Sequence, residues 1–365
     1  MKAKKTFKKI VRVFLIILAI LLLLWLLVFI NSRIRMNKDR EFLTENGYSH
    51  LVSVGDHSVN VLSYGNENGQ HRIVSIAGFG DPDPCLSWRR MTTALEEENR
   101  VIFIDRAGYG LSDNTSQERT VENIVADYRS ALRSAGVSAP YILLPHSIGG
   151  IYASYWVSKY PEEIEAVVFM DTSEIREYAP DQMRTEPDPA YLRAYRLDKM
   201  GAGGLGNLLV KTMLPEKPYY TAAEQRAEYA LALLTFQNSA VIEEDAMMFR
   251  NMNETWNMLV PNDVPKLYIS AEFGYNTKEE LIADGGLDRG TYLKFFHLAQ
   301  DTDDDTLYDR YLEFCKKIQD KTLSVYAEKL GSCEIVCLPG DHCIYDQKPD
   351  ECAKVIKDYI DKLYE

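Results

Sequence analysis

The 365-residue sequence has no CxxC pair, no His/Cys spacing suited to a metal, no EF-hand loop and no internal repeat. Those absences point away from zinc modules, calcium sensors and repeat arrays. Beyond residue 40 the chain is also poor in positive charge. There, 31 basic residues face 53 acidic ones, a net of −22. Such a body is repelled by nucleic acid and by anionic lipid surfaces, and no nucleic-acid motif occurs. The acidic run DTDDD (301–305) reads as a solvated loop. No metal, organic cofactor or nucleic-acid partner is expected.

What is present begins with an apolar run, Val13 to Ile30, preceded by Lys2, Lys4, Lys5, Lys8, Lys9 and Arg12. Its length suits a transmembrane helix. Arg33, Arg35, Lys38 and Arg40 follow, but the heavier basic flank predicts a cytoplasmic N-terminus. The segment LLVFINSRIRM offers no A-x-A-like cleavage site, which argues against a removed signal peptide. Residues 1–40 are therefore expected to be a tail and single-pass anchor in the cell membrane, with the body outside the cytoplasm. That compartment permits disulfides among Cys85, Cys315, Cys333, Cys337, Cys343 and Cys352. Cys333 and Cys337 lie too far apart along a strand to bond each other, and the spacing leaves the pairing open.

After a linker or short helix at 41–50, LVSV (51–54) and VNVLSY (59–64) read as a hairpin. His50, His57 and His71, in or beside it, are expected at the surface. From residue 72 apolar strands alternate with amphipathic segments. RIVSIA (72–77), VIFID (101–105), YILLP (141–145) and AVVFMD (166–171) read as strands. Helices are expected over 85–98, over 120–136 with Gly136 as cap, and after PHSIGG. Short, near-continuous apolar strands alternating with helices predict a mostly parallel sheet covered on both faces. The alternation breaks between 172 and 260, where YTAAEQRAEYALALLTF (220–236) reads as helical. It resumes at KLYISA (266–271) and ends with CEIVCL (333–338) and a helix over 349–363. The predicted layout is one α/β core, 41–171 and 261–365, with a helical cap inserted at 172–260.

In open parallel sheets ligands bind at the carboxyl ends of the strands. AGFG (77–80) follows one strand, and its backbone N–H groups are free to face an anion. DRAGYGLSD (105–113) follows the next, PHSIGG with Ser147 another, Asp171 a fourth, and PGDHCIYDQKP with His342 the last. A hydroxyl, a carboxylate and an imidazole thus fall at strand ends in the order Ser, Asp, His. Among the six histidines His342 stands out, because it follows a strand and a Pro-Gly turn and precedes Pro349. His146 and His297 are expected to serve packing.

On these segments the chain resembles the α/β-hydrolase superfamily, which uses that order of residues. The likeness covers about residues 50–365. DRAGYGLSD is similar to the superfamily's D-x-x-G-x-G-x-S segment and IAGFG to its oxyanion loop, with Ala77 where His is frequent. PHSIGG is similar to the G-x-S-x-G elbow, with Pro145 where the first glycine stands. The resemblance implies that Ser147 is the nucleophile and His342 its base, and that the N–H groups of Phe79 and Ile148 hold the oxyanion. It implies Asp171 as the acid, with Glu272 as the alternative. Asp105 and Arg106 resemble a pair that braces the loops. The expected activity is serine hydrolysis of a carboxylester of a small or apolar substrate through an acyl-enzyme. An aminopeptidase or amidase is the rival reading, marked by a pocket carboxylate that grips a free amine. A non-catalytic binding protein on the same scaffold is another.

Overall fold

The computed structural model describes residues 2–173, 175–177, 183–202, 210, 214–235 and 238–364. Its first element, α1 (Lys2–Glu45), is a continuous helix of 44 residues. The apolar stretch within it has a mean hydropathy of 3.5 and lies outside the protein interior, so by length and composition it can cross a membrane. No linker separates it from the body. The helix runs on to Glu45, into the segment read as a linker or short helix, where Leu43 is fully buried among Met36, Phe42 and Tyr48 at the edge of the core.

Among the described residues eight strands form one sheet in the order β1-β2-β4-β3-β5-β6-β7-β8. In chain order they are β1 (Leu51–Val54), β2 (His57–Gly65), β3 (Arg72–Ile76), β4 (Arg100–Ile104), β5 (Tyr141–Pro145), β6 (Ile164–Met170), β7 (Lys266–Ser270) and β8 (Cys333–Cys337). The hairpin β1–β2 and the pair β2–β4 are antiparallel, and all the remaining pairs are parallel. The central strands carry apolar side chains on both faces. Val74 and Ile76 join one buried cluster with Ile124, Tyr128, Ile151 and Trp156, while Ile73 and Ala77 join a second with Trp88, Met91, Ile356 and Ile360. This double burial is why the strands read as unbroken apolar runs.

The helices expected over 85–98 and 120–136 fare differently. The first is two short turns, α2 (Pro84–Ser87) and α3 (Arg89–Thr92). Beyond Thr92 the ladder gives way to i→i+3 bonds, Leu95 N–H to the Thr92 carbonyl and Glu96 N–H to the Thr93 carbonyl, and the Glu96 and Glu98 carbonyls accept the Asn66 and Gln70 N–H groups of the β2–β3 loop. The second is α4 (Val121–Ser134), capped by the Thr120 side chain and followed by Gly136 at φ 68°. Behind Ser147 comes α5 (Gly149–Lys159).

Between β6 and β7 lie α6 (Pro189–Leu197), α7 (Ala222–Thr235) and α8 (Ser239–Met258). Asn251 ties α8 to the core, since its Oδ1 accepts the Val121 N–H at 2.8 Å and its amide donates to the Arg119 carbonyl at 2.9 Å. All six cysteines are free thiols, with Cys85, Cys315 and Cys352 buried.

Two histidines expected at the surface are buried. His57 is enclosed between Asp56 and Asp127, and His71 Nδ1 lies 2.8 Å from Glu165 Oε1. Their sequence neighbourhood is polar, but carboxylates from distant segments supply the partners that make burial tolerable. His50 is exposed as expected.

Candidate active site

The turn after β5 forms despite Pro145. In the β3–β5 ladder Pro145 stands opposite Ile76, and it is the next residue, His146, whose N–H donates to the Ile76 carbonyl at 3.0 Å. The proline's missing donor is therefore not needed there. Ser147 takes a left-handed backbone, φ 51°, which is unfavourable for a residue with a side chain. The turn is held from both sides: Gly150 N–H donates to the Ser147 carbonyl at 3.0 Å, and Ser173 N–H donates to it at 2.9 Å. Gly149 has no freedom to be anything larger. A Cβ there would sit 2.1 Å from the Ile76 carbonyl oxygen.

Asp171, one residue past β6, is also left-handed, φ 42°, and buried. Its Oδ1 accepts two main-chain N–H groups, from Ala271 at 2.7 Å and Glu272 at 3.1 Å. Its Oδ2 is 2.8 Å from His342 Nδ1. Both carboxylate oxygens thus have defined duties, and the second orients the imidazole with Nε2 pointing away from the pair. Burial works to depress the His342 pKa. The Asp171 hydrogen bond and the charges of Asp171, Glu272 and Asp341 outweigh it and hold the imidazole above its ordinary value of 6.5.

Glu272 lies close by. Its carboxylate, that of Asp171 and the imidazole of His342 offer atoms within 4.8 Å of one another. Three such ligands are able to hold a cation, but Asp171 already spends both oxygens on protein donors. Burial, then the Asp171 charge, pushes the Glu272 acid upward. Of the two carboxylates weighed from the sequence, Asp171 is the one hydrogen-bonded to His342.

His146 does more than fill space. Its Nε2–H donates to the His342 carbonyl at 2.7 Å. Burial, reinforced by nearby His342, lowers its pKa to about 3, so it stays neutral. Packed against Trp88 and Tyr345, it ties the Ser147 turn to the His342 loop.

The loop after β3 passes directly beside Ser147, for a Cβ on Gly78 would stand 3.2 Å from the serine Cβ. That places the Phe79 main chain next to the turn whose following residue is Ile148. Arg106 fixes this loop. Its guanidinium donates to the carbonyls of Ala77 at 2.7 Å and Gly78 at 2.9 Å. Arg106 is buried and paired with Glu244 of α8 at 3.1 Å. Asp105 braces separately, accepting from Asn60 Nδ2 at 2.9 Å and Leu111 N–H at 3.2 Å. Glu244 was invisible in the sequence, where it is one acidic residue in an acidic helix. Only its complete burial singles it out.

Ser147 and His342 both line a cleft of about 320 Å³, together with Phe79, Asp81, Asp83 and Glu228. The acidic side chains there, Asp81 and Asp83 in particular, were not anticipated. Glu174, another carboxylate near the strand end, lies outside the described residues. His297, expected to serve packing, is instead exposed in a left-handed turn, φ 54°, and does not line the cleft.

Comparison with known proteins agrees with this architecture. The sequence family described as alpha/beta hydrolase fold matches residues 73–200. The chain is 26% identical to the protein YbdG of Bacillus subtilis, with 98% of this chain and 99% of that one aligned. It is 28% identical to a cis-3-alkyl-4-alkyloxetan-2-one decarboxylase of Shewanella oneidensis, over 44% of this chain and 46% of that enzyme. The crystal structure of haloalkane dehalogenase DbeA from Bradyrhizobium elkani superposes with a TM-score of 0.52 at 14% identity, covering 86% of this chain and 98% of that one. The protein has the alpha/beta hydrolase fold.

Proposed function

We propose that the protein is a serine hydrolase that cleaves carboxylic esters or related acyl compounds through a covalent acyl-enzyme. The observation that carries this reading is the Asp171–His342 hydrogen bond of 2.8 Å, with His342 and Ser147 lining one cleft. In the proposed mechanism His342 takes the Ser147 proton as the hydroxyl attacks the acyl carbon. Asp171 keeps the imidazole in the tautomer that presents a bare Nε2 and stabilises the imidazolium once it forms. The N–H groups of Phe79 and Ile148 receive the developing oxyanion, each worth about 10²–10³ in rate in comparable sites. His342 then returns the proton to the leaving group, and water repeats the sequence on the acyl-serine.

Relatives with this fold are named for dehalogenation, epoxide hydrolysis and decarboxylation as well. The hydroxyl at position 147 is what favours acyl transfer here. The apolar helix α1 supports a membrane-anchored enzyme, with residues between β6 and β7 acting as a cap over the cleft.

The test is labelling of the full-length, detergent-solubilised protein by a fluorophosphonate. Wild-type protein is expected to label and Ser147→Ala to remain unlabelled. A folded wild type that does not label would overturn the reading.

A further inference from the structure

The cleft beside Ser147 holds more carboxyl groups than acyl transfer uses. Asp81, Asp83, Glu228 and Asp346 line it, and among the described lining residues Lys217 is the one permanent cation. Lys217 is already shared, with Nζ 3.2 Å from Glu228 and 3.7 Å from Asp346. Glu228 also accepts from Gln225, and Asp346 from the Tyr219 hydroxyl. Asp81 has neutral donors, the Trp88 indole N–H at 3.2 Å and the Asp83 N–H at 3.4 Å.

Asp83 differs from all of these. It is 4% exposed, and its Oδ2 has no hydrogen-bond partner among the described residues. It stands at the N-cap of α2, where an aspartate ordinarily accepts a helix N–H. Here it makes no such bond, and the Leu86 and Ser87 N–H groups go to its main-chain carbonyl instead. A buried carboxylate left this way is strongly unfavourable unless a proton or a cation meets it. Burial, then the charges of Asp81 and Glu228, pushes the Asp83 acid well upward, and burial pushes Asp81 up to about 6. Phe79 and Tyr345 line the same cleft, and aromatic faces favour an organic cation over a tightly hydrated metal ion.

We infer that the Asp81–Asp83 end of the cleft binds the ammonium group of an amine-bearing acyl substrate, such as an aminoacyl ester or amide. The substrate class rests on the serine-hydrolase reading, whereas the cation site itself does not. An ammonium group there gives Asp83 the donor it lacks, and the rest of the substrate extends toward Ser147.

Two readouts on the full-length, solubilised protein separate these claims. The first is binding without chemistry, read as the ligand dependence of Tm. Hexylammonium is expected to bind and neutral hexanol of the same chain length to bind far more weakly. Asp83→Asn should cut the hexylammonium affinity roughly tenfold or more. Glu97→Gln, which removes a charge from an exposed position, should not. The second is turnover of 2-naphthyl esters, comparing leucyl and 6-aminohexanoyl esters with the same acyl groups lacking the amine. An amine preference is expected at one or both spacings, and Asp83→Asn should abolish it.

If fluorophosphonate fails to label Ser147 while hexylammonium still binds through Asp83, the hydrolase reading falls and the cation site stands. Equal affinity for hexanol and hexylammonium, or an undiminished affinity in Asp83→Asn, overturns the site. Should Asp83→Asn not fold, Asp81→Asn is read by the same two outcomes.

Discussion

Asp171 Oδ2 and His342 Nδ1 meet at 2.8 Å although 171 residues separate them in the chain. The carboxylate is buried, whereas the imidazole side chain is 43% exposed and reaches the cleft. Asp171 is therefore the fixed member of the pair, clamped by the Ala271 and Glu272 N–H groups, and His342 is positioned against it.

That asymmetry separates the two candidate acids. Asp171→Asn keeps the shape but presents an amide to His342, which destroys the tautomer preference. Acyl transfer should fall by about 10³–10⁴, as for loss of the orienting acid in comparable triads. Glu272→Gln leaves the Asp171–His342 bond in place and should cost less than about tenfold. Fluorophosphonate labelling rates of the two variants measure the difference. A larger loss in Glu272→Gln would reverse the assignment.

The same neighbours set the pH dependence. His342 must be neutral to accept the serine proton, and its pKa is held above 6.5 by Asp171, Glu272 and Asp341 against the opposing effect of burial. The rate should therefore climb as pH rises through that elevated value. Removing a negative neighbour makes the imidazolium less stable. Glu272→Gln and Asp341→Asn should each move the acid limb to lower pH. The labelling rate as a function of pH reads the shift directly.

Pro145 and Gly149 flank the turn with opposite expectations. Because His146, not residue 145, supplies the ladder donor to Ile76, Pro145→Gly should preserve both turn and activity. It should lower stability by about 0.5–1 kcal/mol through greater freedom of the unfolded chain. Gly149→Ala drives a methyl into the Ile76 carbonyl, 2.1 Å away, and the backbone must move. That substitution should cost about 3 kcal/mol or more and suppress labelling of Ser147. Denaturant midpoints beside labelling rates check both.

The order of strands was legible because each central strand is buried on two faces and so carries an unbroken apolar run. Ser147, Asp171 and His342 stood out as candidates because each follows such a run; in the structure Asp171 is hydrogen-bonded to His342, and His342 and Ser147 line one cleft. What escaped the sequence is what depends on distant partners. The amphipathic pattern over 85–98 suggested one helix, but the ladder breaks into short turns after Thr92 and the Glu96 and Glu98 carbonyls bond the β2–β3 loop. His57 and His71 looked like surface residues until Asp127 and Glu165 closed over them. Asp83 carried no signal in the sequence, and its buried carboxylate without a helix N–H to accept shows only in three dimensions.

The apolar helix α1 carries its own prediction. It exposes Phe14, Leu21, Leu22 and Leu23, and a helix of this length and hydropathy should hold the protein in the membrane. The protein should stay in the membrane pellet through alkaline carbonate washing and leave it only with detergent. In sealed cells an added protease should reach the body that follows the span, given the basic residues ahead of it. Release by carbonate, or protection from the protease, would contradict anchoring or orientation respectively.

Glu244 offers a test of how the loop beside Ser147 is held. Its carboxylate accepts from the Tyr152 hydroxyl at 2.7 Å and pairs with Arg106, whose other nitrogens grip the Ala77 and Gly78 carbonyls. Both members of the pair are almost completely buried, so neither charge has recourse to water. Glu244→Gln leaves the guanidinium without a counter-charge, and breaking such a pair costs about 3–5 kcal/mol. The guanidinium is then less firmly seated, and the Phe79 N–H should lose its fixed direction at the proposed oxyanion position. Hydrolysis should therefore lose kcat more than KM, because that donor acts when charge develops on the oxygen. Glu244→Asp, which keeps the charge at a shorter reach, should recover part of both stability and kcat. A variant that loses stability yet keeps wild-type kcat when folded would show that Arg106 holds the fold but not the oxyanion loop.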